Sequence, residues 1–193
     1  GIYTFGSWEA SVASRYTKRY KYSGSFNVRF SKDIIGEKGD QNYMNMNNYN
    51  VVWMHQQDPK FRPNSSFSAS VNFSSSGYSK YGSQTIGEYL NTQTNSSIAY
   101  SKSWAGTPFS LSTNFSHSQN SQDSTVSLSF PNVVFNVARI YPFRRKNASG
   151  KQRWYEKISL SYTGTLGNNV TVKERDLFTS AMFKKMKNGV NHQ

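Results

Sequence analysis

The chain has no cysteine among its 193 residues, so disulfides and thiolate metal sites are excluded and the redox compartment is left open. It has no run approaching the roughly 18 apolar residues that a membrane-crossing helix needs. No basic-then-apolar leader opens it; starting at "GIYTFGSWEA", it reads as a mature or excised segment. Acidic residues are scarce: ten Asp and Glu stand against 23 Lys and Arg, a net charge of +13. Hydrophobic residues make up only 35%, yet aromatics alone reach 16%. That aromatic share argues against disorder, whose sequences are aromatic-poor, and suits pleated strands. The lack of a long apolar run does not exclude a membrane, because alternating barrel strands average out in any hydropathy scan.

Catalytic chemistry finds little support. His55, His117 and His192 are scattered without metal-ligand spacing. No Gly-x-Ser-x-Gly elbow and no glycine-rich phosphate loop is present. Asp33, Glu37 and Asp40 fall in one polar stretch that offers oxygen ligands of the kind calcium takes, but a solvated loop is the plainer reading. No catalytic residue, metal site or cofactor is expected.

What the chain does have is alternation. In "YKYSGSFNVRFS", Tyr20, Tyr22, Gly24, Phe26, Val28 and Phe30 alternate with Lys21, Ser23, Ser25, Asn27, Arg29 and Ser31. The same period of two recurs around Trp8–Tyr16, Tyr49–Trp53, Phe67–Phe73, Ile98–Trp104, Phe109–Phe115, Val126–Phe130 and Ile158–Gly164. It predicts an all-β chain of about seven or eight antiparallel strands. Pro131 predicts a bend or bulge, since proline cannot donate to a ladder. Short links at 17–19, 58–64 and 105–108 alternate with long polar ones at 32–48 and 75–95, and the rule fails at 139–157, which is long where a short link is due.

Period two fits two architectures. A soluble β-sandwich would hide the apolar side in a core and bind polyanions or glycans through its basic, aromatic loops. A transmembrane barrel would turn that side to lipid. Segments of about 9–11 residues, small Ser and Asn on the polar side, and aromatics near segment ends (Trp8, Tyr16, Tyr20, Trp53, Trp104, Trp154) are what the barrel requires. On that reading Tyr22, Phe26, Val28, Phe67, Val71, Leu111, Leu128 and Leu160 face lipid.

The segments "WMHQQDPKFRPNSSFSASVNFSSS" (53–76), "PFSLSTNFSHSQNSQDSTVSLSFPNVVFNVARIYPFRRKNASGKQRWYEKISLSYTG" (108–164) and "DLFTSAMFKKMKNGVNHQ" (176–193) resemble the barrel region of the LPS-assembly protein LptD family, in its Bacteroidetes branch. The run RIYPFRRKN-x₃-K-x-RWYEK is the most specific part of the likeness. The resemblance implies an outer-membrane barrel preceded by a periplasmic jelly roll. Its work would be to receive lipopolysaccharide from periplasmic bridge components and place it in the outer leaflet, with an LptE-like lipoprotein plug inside. It further implies that residues 1–193 are one partial barrel domain, lacking the jelly roll and the remaining barrel strands, with another strand due beyond "GVNHQ".

The densest basic cluster is Arg139, Arg144, Arg145, Lys146, Lys151 and Arg153, interleaved with Tyr141, Phe143, Trp154 and Tyr155. It offers paired donors for the phosphates of an anionic lipid, against the plainer reading of a solvated turn anchored by its aromatics. No RNA- or DNA-binding motif accompanies it, and nucleic acid is not expected as a partner. Lys18, Arg19 and Lys21 form a second basic spot, and Lys184, Lys185 and Lys187 a third. The stretch 176–189 is the one with helical character, a short amphipathic face closed by Gly189.

Overall fold

The structure, a computed structural model, describes residues 6–39, 41–78, 93–145, 151, 153–177 and 179–192. Nine strands form one antiparallel sheet in sequential order: β1 (Trp8–Lys18), β2 (Tyr22–Ile35), β3 (Met44–Gln57), β4 (Ser65–Ser74), β5 (Gln93–Ser103), β6 (Phe109–Asn120), β7 (Thr125–Ile140), β8 (Leu160–Lys173) and β9 (Lys187–His192). Every neighbour in the sheet is a neighbour in sequence. There is no second sheet among the described residues, which sets aside the sandwich.

The sheet adds a strand to the sequence expectation. The final residues, read as a helix end followed by a missing strand, instead make β9, and Gly189 pairs with Gly167 inside the ladder. The helix is shorter than its pattern, α1 (Ser180–Lys185). Tyr20, assigned by alternation to β2, lies in the turn before it at φ +61°. The link expected at 32–48 shrinks to 36–43, because β2 and β3 extend into it.

Pro131 does what its chemistry demands. The β6–β7 register slips between Asn114 and Ser116, and the β7–β8 register between Ser129 and Val133. Apolar residues sit at even positions before the bulge (Val126, Leu128, Phe130) and at odd ones after it (Val133, Phe135, Val137). The extra residue therefore keeps them all on one side.

The fully packed core is small. Val170, Val172 and Met182 are buried, with Leu128, Leu177 and Met186 against them, so α1 lies over the ends of β7 and β8. Elsewhere large apolar side chains stay open: Val12 is 65% exposed, Leu160 55% and Phe30 41%. Burial of a hydrophobic interior does not hold this sheet together. Continuous ladder pairing across nine strands does, together with cross-strand aromatic contacts such as Trp8 on Phe30 and Phe109 on Phe135.

Candidate functional site

Directly paired residues of an antiparallel ladder share a face. Following the register from strand to strand puts Val12, Val28, Val51 and Phe73 on one side, with Phe26, Trp53 and Val71 beside them. Phe67, Tyr100, Thr113, Val133 and Leu166 continue it. All eight residues expected to face lipid lie on this one side. The other side carries Ser23, Ser25, Asn27, Arg29, Ser68, Ser70, Ser97, Ser112, Asn114 and Thr165, with Ile35, Met44, Met46, Val52, Met54 and Val134 among its apolar members. A groove of about 490 Å³ follows the polar side, where Arg15, Thr17, Ser23, Ser25, Gln56 and Ser70 are among its walls.

The apolar part of the first side does not run straight across the strands. In β1–β3 it is centred on Val12, Val28 and Val51. In β5 and β6 it has moved toward the other end, to Ile98–Tyr100 and Phe109–Phe115, while Thr94, Ser96, His117 and Gln119 take over the positions left behind. In β8 it reaches Leu160, Tyr162 and Leu166. The drift is a little over one residue per strand, roughly. With about 3.3 Å per residue and 4.8 Å between strands it corresponds to a tilt of roughly 40°, in the range of barrel strands. Leu128 falls outside the drifting band and packs under α1 with Val170, Val172 and Met182, so the chain itself covers it.

The links fall into two sets. Links 19–21, 58–64, 104–108 and 141–159 stand at one end of the sheet. They and the strand ends beside them hold over half of the described basic residues, but only two carboxylates, Asp58 and Glu156. The other described carboxylates, Glu9, Asp33, Glu37, Asp123, Glu174 and Asp176, lie toward the opposite end. There Asp33 accepts hydrogen bonds from Ser31 Oγ (3.0 Å) and Asn48 Nδ2 (2.6 Å), and Glu174 accepts from the Ser76 amide (3.2 Å). Asp40 is outside the described residues. Lys184 and Lys185 also belong to this end, on α1.

The expected basic cluster is only partly free to bind. Arg145 Nε donates to the carboxylate of Glu156, which is buried and also accepts the Arg153 amide (2.8 Å). Those hydrogen bonds, the guanidinium's first, hold the Glu156 carboxyl below its ordinary range, and the same pair raises Arg145. Arg153 reaches the Tyr155 hydroxyl (3.1 Å), and Arg144 sits over the Tyr141 ring. Arg139 and Lys151 are exposed, and Lys146 lies outside the described residues. Sequence reading missed Glu156 as the clamp of this loop. Its signal was the Glu three residues after Arg153, the spacing of a capping box. Among the described residues no group of three or more His, Cys, Asp or Glu is placed to hold a metal ion.

Sequential antiparallel strands, one apolar and one polar side, and an apolar band tilted against the ladder define a portion of barrel wall. The chain belongs to the LptD family, whose model, described as "LptD protein", matches residues 1–193. This is an outer-membrane family of lipopolysaccharide transport and assembly, not a family of enzymes. No curated protein and no solved structure matches the chain significantly.

Proposed function

We propose that this chain is one partial domain, 1–193, in the wall of the barrel through which lipopolysaccharide reaches the outer leaflet of a bacterial outer membrane. The tilted apolar band supports this most directly, because a soluble sheet has no reason to shift its apolar residues by a constant step per strand. Tyr22, Phe26, Val28, Phe67, Val71, Leu111 and Leu160 contact hydrocarbon, while Leu128 serves the contact with α1. The Ser- and Asn-rich side faces a hydrated interior that takes the sugars of the glycolipid and an LptE-like plug. Acyl chains leave through a seam between strands, fed by the periplasmic bridge. No bond is made or broken, so the work is done by shape and solvation.

Arg139, Arg144, Lys151 and Arg153, with Lys146, provide donors for lipid phosphates, and Arg145 holds the loop to Glu156. Fractionation of the full-length parent tests the reading. The protein is expected to stay with outer membranes through an alkaline carbonate wash and to need detergent for release. Recovery in the aqueous fraction would end it.

A further inference from the structure

We infer that the described residues of the four links at the basic end form one collar that docks on the anionic glycerophospholipid headgroups of the leaflet they meet. The inference rests on the membrane reading above. Backbone hydrogen bonds tie the three short links and the strand ends beside them in series: Asp58 N to Lys21 O (2.8 Å), Ser103 N, at the end of β5, to Asn64 O (2.8 Å) and Ala138 N, in β7, to Pro108 O (2.8 Å). The three short links therefore act as one rim rather than as independent turns, with the start of 141–159 beside them.

Each link pairs a cation with an aromatic ring. Arg19 lies over Tyr20 (4.7 Å to the ring centre), Lys21 and Arg62 over Phe61 (5.0 and 5.3 Å), Lys102 over Trp104 (5.3 Å) and Arg144 over Tyr141 (5.8 Å). No cation–π pair occurs anywhere else among the described residues. Rings at headgroup depth with cations beside them are the chemistry of a membrane boundary, where aromatics anchor and Lys or Arg bind phosphate.

Two further observations point to lipid. The rim's carboxylates are few: Glu156, paired with Arg145, and Asp58 stand against many more Lys and Arg, so the net charge stays positive. Tyr20 sits at φ +61°, where glycine or asparagine is cheaper, and is 64% exposed. A strained, exposed tyrosine in so short a turn has its reason in what the ring touches. The choice of glycerophospholipid over the transported glycolipid follows from link length. Three of the four links are short, and short links mark the periplasmic side of outer-membrane barrels. The 141–159 link is the exception.

The test uses the full-length protein in vesicles of brominated phosphatidylcholine, with phosphatidylglycerol added, and reads the preference between lipids from tryptophan quenching. Wild type is expected to prefer phosphatidylglycerol, with the preference weakening at high salt. Lys21→Gln/Arg62→Gln/Lys102→Gln is expected to lose about fivefold of that preference per cation removed. Lys38→Gln/Lys184→Gln/Lys185→Gln, at the opposite end, is expected to keep it. If the triple rim variant fails to insert, the single variants Arg62→Gln and Lys102→Gln carry the same expectation at one step each. Equal affinity for both lipids in wild type, or equal loss in both triple variants, overturns the collar. So does a preference displaced by inorganic phosphate, or one seen only with lipopolysaccharide in the vesicles. Wild type that does not insert at all would instead sink the membrane reading itself.

Discussion

The far end of the Tyr16 ring fills the space where a side chain would stand on Gly24, its registered partner on the next strand. The Tyr16 hydroxyl accepts from Trp53 Nε1 (2.8 Å) and shares a hydrogen bond with His55 Nδ1 (2.9 Å). Three strands are thus tied by one tyrosine whose seat exists only because residue 24 is glycine. A methyl group at 24 would also press on the Met54 carbonyl oxygen, at 2.5 Å. Gly24→Ala is expected to cost about 1–3 kcal/mol, as overpacking does. Ser25→Ala, on the other side, should stay within about 0.5 kcal/mol. Unfolding of the full-length protein in detergent measures both.

Phe26 and Asn27 are adjacent in β2 and point to opposite sides. If the Phe26 side meets hydrocarbon, Phe26→Lys should cost about 2–4 kcal/mol and lower the yield of folded barrel, because a charge would sit near the bilayer midplane. Asn27→Lys enters the hydrated side and should be tolerated. Equal yields from the two variants would count against this assignment of sides.

Much of this was legible in the residues. Phe26 against Asn27 can be read as two sides because a strand's period is two, and Pro131 announced its bulge because it lacks a donor. What stayed hidden depends on register, which alternation does not encode. Leu128 has the same local pattern as Phe26, yet the band drifts past it by the time the chain reaches β7, and α1 covers it. The rim joining Lys21, Phe61 and Lys102 is invisible in sequence, since its members are brought together only by pairing of β1 through β6. β9 was missed because "KNGVNH" is polar and contains glycine; its ladder with β8 overrides weak local preference.

Met182 is nearly fully buried against Val170 and Val172, while its neighbour Phe183 is 59% exposed. Met182→Ala should therefore cost about 2–5 kcal/mol through the cavity it leaves. Phe183→Ala should change stability much less. The order is the reverse of side-chain size. Thermal unfolding that ranked Phe183→Ala as the more damaging would show that α1 does not lie over β7 and β8 as described.

Glu156 gives the loop 141–159 a pH dependence of definite sign. Its carboxyl is held below the ordinary glutamate value of about 4.3 by Arg145 and the Arg153 amide, so the folded loop favours the ionised form. That contribution is complete above the ordinary value and is lost as pH falls through the lower, folded one. Tryptic cleavage within the loop at neutral pH should rise in Glu156→Gln, which keeps the shape but loses the charge. A pepsin-type protease, active in acid, should cut the wild-type loop increasingly only once the pH has fallen below the ordinary glutamate value. Identical cleavage of wild type and variant at both pH values would remove Glu156 from the role of clamp.

The tilted band makes depth and register disagree, and that disagreement can be measured. Phe67 and Leu166 stand on one ladder rung through Tyr100, Thr113 and Val133. A sheet whose rungs lay parallel to the membrane would place them at equal depth. A tilt of roughly 40° over four strand spacings of about 4.8 Å separates them by about 12 Å along the bilayer normal. Val12 and Phe135, on different rungs, should conversely share a depth near the middle of the hydrocarbon. Nitroxide labels at these four positions of the full-length protein, compared for oxygen and nickel accessibility, decide between the two. Equal depths for Phe67 and Leu166 would mean that the apolar band is not a membrane band, because only a bilayer forces the greasy residues of tilted strands into one level slab.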